Sequence, residues 1–421
     1  MKNIFFMGSS TAIRLVFGLL TFSILARLLG PASFGLFMVW LSIATLLGLI
    51  ANYGFSPYLL REIGVKPDTA HTLMSEVLSA KILISGILIL AALCAMPFIA
   101  ATNRWVFLTI MLALLIDSVT DFLNVGYRAT NRYAAETRIA TIASAMQFTI
   151  IAASVWYAPS VLAAALGFLI SRIGVLTLTW WDQAQYFANL RPAPLHRAIH
   201  QLRLGLSYAV DFALQSLFGQ IDSVVLNFYL GPAAVGLYQA GMRLVLGGAQ
   251  AANVLSNVFI PRISGVIHNA TQLQHEGQRL QTAFITVGAL FGLILAIGAK
   301  PIVYLLFGEQ FNDLVNLLPW FGLLFFVRFL ASAFGIMLTS AGRQKFRAKI
   351  NAAQWIIILT IATVLIPQYG DIGWILSLTI GNLLLAIVYF VASIKFVRPT
   401  RSNTLIAFVS CGAFFPFLHF N

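Results

Sequence analysis

Runs of about twenty apolar residues, parted by short polar breaks, recur along the whole chain. A membrane-crossing helix needs about 20 mainly apolar residues, so the pattern predicts spans at roughly 8–29, 34–58, 78–100, 104–125, 138–157 and 160–181. By the same rule a second set falls at roughly 204–230, 234–260, 282–307, 314–339, 350–367 and 372–395. Between the sets lies a polar stretch, QAQYFANLRPAPLHRAIHQLR. Residues 404–420 are apolar but short and interrupted by Pro416; they read as a thirteenth span, an interfacial segment or a fragment of one. The stretch 261–281 alternates apolar and polar residues. It reads either as an amphipathic helix on the membrane surface or as an ordinary helical linker.

The pattern also contains an echo. Residues 29–37 are LGPASFGLF and residues 230–238 are LGPAAVGLY, an offset of 201. Six predicted spans separate the two copies, an even number, so both run in the same direction across the membrane. That is a parallel repeat with its axis along the membrane normal. Arg132 and Arg138 follow the fourth span as Arg343 and Lys349 follow the tenth, at the same spacing. The predicted fold is therefore an all-α integral membrane protein of about twelve helices. Two six-helix lobes, 1–203 and 204–403, enclose a central cavity, with 404–421 as an extra apolar segment.

Composition removes the soluble classes. The chain has 421 residues, 60% hydrophobic and 9% charged, against roughly 25% charged in soluble domains. A net charge of +13 would suggest nucleic acid in a soluble protein. Here most Lys and Arg fall in alternate loops, which predicts positive-inside topology with a cytoplasmic N-terminus, and no nucleic-acid partner. The N-terminal apolar run does not read as a cleavable signal, because Arg14 interrupts it and no small-residue cleavage site follows. Cys94 and Cys411 lie far apart in apolar runs and suggest neither a disulfide nor a metal site.

No catalytic constellation stands out. The chain has no Gly-Lys dipeptide, hence no phosphate-binding loop of the GxxxxGK type. His275-Glu276 begins a zinc-protease pattern, but position 279 is Arg. The histidines do not cluster, so no metal or cofactor is expected and transport outranks catalysis.

Charges inside the apolar runs carry the signal. A charge at the centre of a membrane helix costs roughly 2.5–3.5 kcal/mol on insertion scales, and it usually faces a bundle interior or an aqueous cavity. Arg14, Arg172, Arg243 and Arg328 lie in four different spans, and Asp117 and Asp121 sit one turn apart in span 4. Asp211 and Asp222 in span 7 are eleven residues apart, which puts both on one face of a continuous helix. The functional reading is a polar cavity whose arginines meet an anionic substrate, since the guanidinium fork suits phosphate. The acids would couple transport to an ion or pair with the arginines. The structural alternative is simple pairing, such as Asp222 with Arg243, or snorkelling of Arg172. Arg14 is the strongest substrate candidate, because its own span carries no acid. Gly288 and Gly292 form a GxxxG close-packing pattern. Gly30-Pro31 and Gly231-Pro232 are turns, or hinges at the outward mouth of each lobe.

On these residues a family resemblance rests. ILARLLGPASFGLF resembles the opening of bacterial polysaccharide-export flippases, the Wzx-type branch of the multidrug/oligosaccharidyl-lipid/polysaccharide exporter superfamily. FGQIDSVVLNFYLGPAAVGLYQAGMRL, LLFGEQFNDLVNLLPWFGL, LTSAGRQKFRAKINAAQ and YGDIGWILSLTIGN are similar in kind. The resemblance implies a MATE-like fold in the bacterial cytoplasmic membrane and alternating-access transport of undecaprenyl-pyrophosphate-linked oligosaccharide. Membrane lipids and the polymerase and assembly proteins of the same polysaccharide are the implied partners. It carries over Asp222 and the two Gly-Pro turns as family-like positions without a role. The alternatives are a drug/cation antiporter of the same superfamily, favoured by the acids, and a membrane polysaccharide polymerase or ligase. The short outward loops weigh against the last.

Overall fold

Several helices in this chain break or end where a glycine lets the backbone leave the right-handed region, as at Gly30, Gly54, Gly231 and Gly370. In a computed structural model of the protein, residues 2–130, 132–187, 190–217, 219–394 and 409–418 are described. The first helices are α1 (Lys2–Asn52), α2 (Phe55–Val65), α3 (Ala70–Ala95), α4 (Ala101–Ala129), α5 (Tyr133–Tyr157) and α6 (Val161–Phe187). Then follow α7 (Leu195–Leu217), α8 (Ile221–Leu230), α9 (Pro232–Gly265), α10 (Ala270–Ile297), α11 (Ala299–Leu306), α12 (Asn312–Ser340) and α13 (Gln344–Ser393). No strand occurs among the described residues. Hydrocarbon offers no partner to a peptide group, and a helix satisfies its own.

Two of these helices are too long for one crossing, and each is broken by a glycine. α1 breaks at Gly30 (φ 73°, ψ 170°) and α13 at Gly370 (φ 55°, ψ −131°). Nine helical runs among the described residues are long and apolar enough to cross a membrane. Counting the two runs that contain these breaks as two crossings each, and α7 with α8 as one, matches the twelve expected.

The echo in sequence is an echo in backbone. Gly231 has φ 84° and ψ −177°, close to Gly30, and each is followed by a proline that opens the next helix. This extended region at positive φ is open essentially to glycine alone, and other residues pay of order 1–3 kcal/mol there. The second echo holds as well. Arg132 (φ −87°, ψ 48°) and Arg343 (φ −90°, ψ 38°) precede α5 and α13. Their amides donate to the carbonyls of Tyr127 and Leu338, both at 2.8 Å.

Several expectations change, and one open alternative is settled. The predicted span 34–58 is not one helix: Tyr53 (φ 50°) and Gly54 (φ 62°) are left-handed and separate α1 from α2. The predicted span 204–230 is also broken, since α7 ends at Leu217 and α8 starts at Ile221 after turns at Gly219 and Gln220. Asp211 and Asp222 therefore do not share the face of one continuous helix; the side chain of Asp211 lies outside the described residues. The polar stretch between the two sets of spans is mostly helix, because α6 runs on to Phe187 and α7 begins at Leu195. Residues 261–281 form no separate surface helix: they are the end of α9 and the start of α10, which Asn269 caps by accepting from the Gln272 amide at 3.1 Å.

By compactness the chain divides into Met1–Phe228 and Tyr229–Asn421. In the first unit α1 packs on α5 and α4, α4 and α5 pack on α6, and α7 packs on α3, α1 and α2. A polar strap holds α7. Glu76 of α3 accepts from Gln201 at 2.6 Å and from Arg197 at 3.3 Å. Gln201 accepts from the Tyr58 hydroxyl at 2.7 Å, and the Tyr53 hydroxyl donates to the Leu202 carbonyl at 3.1 Å.

In the second unit α12 is the central post, packed against α10, α13 and α9. Its phenylalanines fill space left by glycines: Phe321 lies over Gly241, Phe325 near Gly248 and Phe329 over Gly288. Lipid tails are as apolar as these rings, so close fit rather than water exclusion drives such packing. Gly292 and Gly322 meet backbone to backbone, where a methyl on Gly292 would lie 2.7 Å from the Gly322 carbonyl oxygen and 2.8 Å from the Phe414 ring. The GxxxG pattern is thus a contact of α10 with α12. Part of the extra apolar segment is described, and its Phe414 is fully buried with Ile285, Ala289 and Phe326.

Candidate functional site

Polar residues at helical spacing converge inside the first unit. On α1 they are Arg14 and Thr21, seven apart; on α4, Asp117, Thr120, Asp121 and Asn124; on α5, Glu136, Ser144 and Gln147; on α6, Arg172 and Thr179. Each set recurs at three, four, seven or eight residues, which keeps it on one helix face. The four faces enclose a cavity of about 260 Å³, completed by Phe17, Gly18, Ile139, Ala140, Ala143 and Val175.

The structure brings together four residues singled out from sequence: Arg14, Asp117, Asp121 and Arg172. Arg172 donates to Asp117 at 2.7 Å, and its guanidinium lies 4.8 Å from the Phe168 ring centroid. Both partners stay partly open to the cavity, with 21% and 28% of their side chains exposed. Asp121 and Arg14 are accessible from the same space. The cavity lining contains neither Arg243 nor Arg328, which are half-buried on α9 and α12 of the second unit. Asp222 is buried in the first turn of α8, where a carboxylate suits the positive end of the helix dipole.

Sequence reasoning missed three charged residues. Glu136 lines the cavity from the first turn of α5, held by Arg128 of α4 through bonds of 2.9 and 3.1 Å to one carboxylate oxygen. Behind the Asp117–Asp121 face, Lys81 is almost fully buried and donates to the Ala51 carbonyl at 3.1 Å and to the Ser118 hydroxyl. The break at Tyr53–Gly54 leaves that Ala51 carbonyl without its helical donor, and Lys81 replaces it. The neutral polar residues carry a usable signal of their own: Thr120 and Asn124 on α4 and Ser144 and Gln147 on α5 recur on one face of an otherwise apolar run.

Below the cavity, Asp182 ties the helix ends together. It accepts from the Tyr127 hydroxyl at 2.8 Å and from Arg138 at 2.7 Å, with Arg132 at 3.6 Å. Among the described residues no group of three His, Cys, Asp or Glu could hold a metal ion.

Comparison with known proteins fits this architecture. Residues 1–266 match the family described as "Polysaccharide biosynthesis protein". A putative O-antigen transporter of Escherichia coli (strain K12) is 23% identical over 394 residues, covering 90% of this chain and 92% of that protein. The capsular polysaccharide biosynthesis protein CapF of Staphylococcus aureus is 26% identical over 194 residues, 44% of this chain; the match spans about half of CapF, 48% of its length. Among solved structures, the lipid II flippase MurJ in an inward closed conformation is similar with a TM-score of 0.75 at 14% identity, over 98% of this chain and 92% of that one. An inward-facing multidrug resistance MATE family transporter is similar with a TM-score of 0.66 at 15% identity, over 98% of this chain and 99% of that one. Those two likenesses establish the fold alone, an all-α bundle of membrane-crossing helices like theirs.

Proposed function

The chain belongs to the polysaccharide biosynthesis protein family, and from that premise we propose that it is a non-enzymatic flippase for a lipid-linked oligosaccharide. Its substrate is an undecaprenyl-pyrophosphate-linked repeat unit, moved by alternating access across the bacterial cytoplasmic membrane. In this reading the N-terminus is cytoplasmic and the lobes are 1–203 and 204–403. The lipid tail stays in the bilayer while the hydrophilic headgroup crosses through protein. Arg14, Arg172, Arg243 and Arg328 are the cations offered to the headgroup, and Asp117, Asp121, Asp211 and Asp222 serve coupling or pairing. Gly30-Pro31 and Gly231-Pro232 are the points at which each lobe can bend. Polymerase and assembly proteins of the same polysaccharide act after it.

One observation carries the reading: a charged and hydroxyl-lined cavity inside an otherwise apolar helical unit. Polar and charged groups at membrane depth are costly, so their gathering around one cavity is the mark of a substrate or ion pathway. The same observation keeps one rival. Asp117, Asp121 and Glu136 outnumber Arg14 and Arg172 in the lining, which also suits a cation antiporter.

The test is a strain lacking the gene, with its lipids extracted and lipid-linked saccharide quantified beside surface polysaccharide. Accumulated lipid-linked saccharide with lost surface polysaccharide, both restored by the gene, is the expected result. Unchanged glycan with new sensitivity to cationic drugs would transfer the assignment to the antiporter; surface glycan cut to single repeats would transfer it to a polymerase.

Within that strain, Arg14→Ala is expected to lower export about tenfold or more, a loss of at least about 1.4 kcal/mol, at unchanged membrane abundance. Arg14→Lys keeps the charge but not the planar fork and should recover only part. Normal surface glycan in the alanine variant would remove Arg14 from the site.

A further inference from the structure

The hydrogen-bonding character of the first-unit cavity is lopsided. Thr21 donates its hydroxyl proton to the Phe17 carbonyl at 2.7 Å, Thr120 to Ile116 at 3.1 Å and Ser144 to Ala140 at 2.7 Å. A hydroxyl has one proton. With that proton committed to their own helices, these three side chains can offer a ligand only lone pairs. Asp117, Asp121 and Glu136 likewise offer acceptors, and one Glu136 oxygen is already taken by Arg128. Thr179 is fully buried in the cavity wall, and its hydroxyl has no hydrogen-bond partner among the described residues. The cavity therefore sets six acceptor-only side chains against the donors of Arg14, Arg172, Asn124 and Gln147, and Thr179 adds a buried hydroxyl without a partner among the described residues.

Pyrophosphate fits this lining poorly. Near neutral pH it is ionised, so it brings no proton donor and would face carboxylates. At about 4 Å and an effective dielectric near 20, each such approach costs roughly 4 kcal/mol. Of the two arginines, Arg172 is already engaged by Asp117. A bare metal ion fits poorly as well: Asp117, Asp121 and Glu136 all line the cavity, but both arginines share it, and among the described residues no three His, Cys, Asp or Glu side chains are close enough together to ligate one. A sugar ring fits better. Every hydroxyl on it brings a donor, and its oxygens can accept from Arg14, Asn124 and Gln147. The size agrees: about 260 Å³ is below the roughly 300–1,000 Å³ of sites for drug-sized ligands, which is room for one ring and not for an oligosaccharide.

We infer that the cavity between α1, α4, α5 and α6 is a glycosyl subsite, reading the hydroxyls of one sugar ring through its acceptor-rich wall. The inference rests on the export reading for its biological setting, and the pyrophosphate of the same substrate is bound elsewhere. Specificity for the sugar then lies in Asn124, Gln147 and the hydroxyl residues, ahead of the arginines.

The experiment uses the full chain in proteoliposomes with Cys94 and Cys411 changed to Ser, carrying either Ser144→Cys on α5 or Thr21→Cys on α1. The rate of maleimide labelling is measured with four separate additions. These are methyl glycosides of the sugars in the host's surface polysaccharide, lipid-linked saccharide extracted from the deletion strain, undecaprenyl pyrophosphate without sugar, and sodium chloride. The glycosides and the lipid-linked saccharide are expected to slow labelling about tenfold once present at about ten times their Kd, with little change from the other two. Equal protection by undecaprenyl pyrophosphate would make this a phosphate site. Protection by sodium alone would make it a cation site, and protection by nothing would leave it structural; each result overturns the subsite. Either cysteine position alone suffices should the other fail to fold. Failure of the export reading shows separately, as a deletion strain that accumulates no lipid-linked saccharide, while the glycoside arm still reports on the cavity.

Discussion

An Asp117→Ala protein is expected to reach the membrane at reduced level and to export less than about a tenth of the wild-type amount, the change that about 1.4 kcal/mol produces. The reason is Arg172. Its 2.7 Å partner would vanish while the guanidinium stays over the Phe168 ring within the membrane-spanning part of α6. An unpaired charge at membrane depth costs roughly 2.5–3.5 kcal/mol on insertion scales, and partial exposure of this pair to the cavity brings the expected loss to about 2 kcal/mol. Removing both partners deletes the orphan as well. The Asp117→Ala/Arg172→Ala protein should therefore regain most of the lost abundance and thermal stability, as expected when an ion pair is replaced by apolar groups. Its export should stay low, because the cavity has lost two of its charged groups. Abundance read by quantitative blotting and export read by surface glycan separate the two effects. A double variant that exports normally would make the pair a fastening and nothing more.

Gly54→Val should be more damaging to folding than any change in the cavity. Gly54 is left-handed at φ 62°, and the carbonyl of Tyr208 on α7 occupies the place a Cβ would take. A β-branched residue there combines backbone strain of about 1–3 kcal/mol with overpacking of about 1–3 kcal/mol. Against a total stability of about 5–15 kcal/mol, most of the protein should aggregate or be degraded. The readout is the monodisperse fraction on size-exclusion chromatography and the midpoint of thermal unfolding. Gly54→Ala should lie between wild type and Val. A valine variant with wild-type yield would mean that α7 does not pack this closely on α2.

The helical content and the parallel repeat were legible in sequence because both are periodic. Twenty-residue apolar runs can be counted, and Gly-Pro at one offset marks one backbone turn twice. The turn angles at Gly30 and Gly231 could not be read, yet the residue type already restricted them. Arg14, Asp117, Asp121 and Arg172 were legible as a set, since charge in an apolar run stands out. That they share a cavity was not legible, since convergence of α1, α4, α5 and α6 is a property of packing. Glu136 escaped because it lies at the head of α5, where loop and helix look alike by composition. Lys81 escaped because its task is local: it serves a carbonyl freed by a helix break that the apolar run 34–58 gave no reason to expect. The break between α7 and α8 was missed for the same cause. A glycine inside an apolar stretch is compatible with either a continuous or an interrupted helix, and tertiary contacts decide.

The strap on α7 has a consequence for the order in which the protein is made. Domains of nascent chains generally fold as units, the N-terminal one first, during synthesis at about 5–20 residues per second. When Arg197 and Gln201 emerge, Tyr58 and Glu76 have long since been synthesised, so every partner of α7 in the strap precedes it in the chain. The first unit can thus close on its own while the ribosome is still translating α9. A helix that the repeat assigns to the second half is claimed by the first before that half exists, and the later helices are synthesised only after that claim is made.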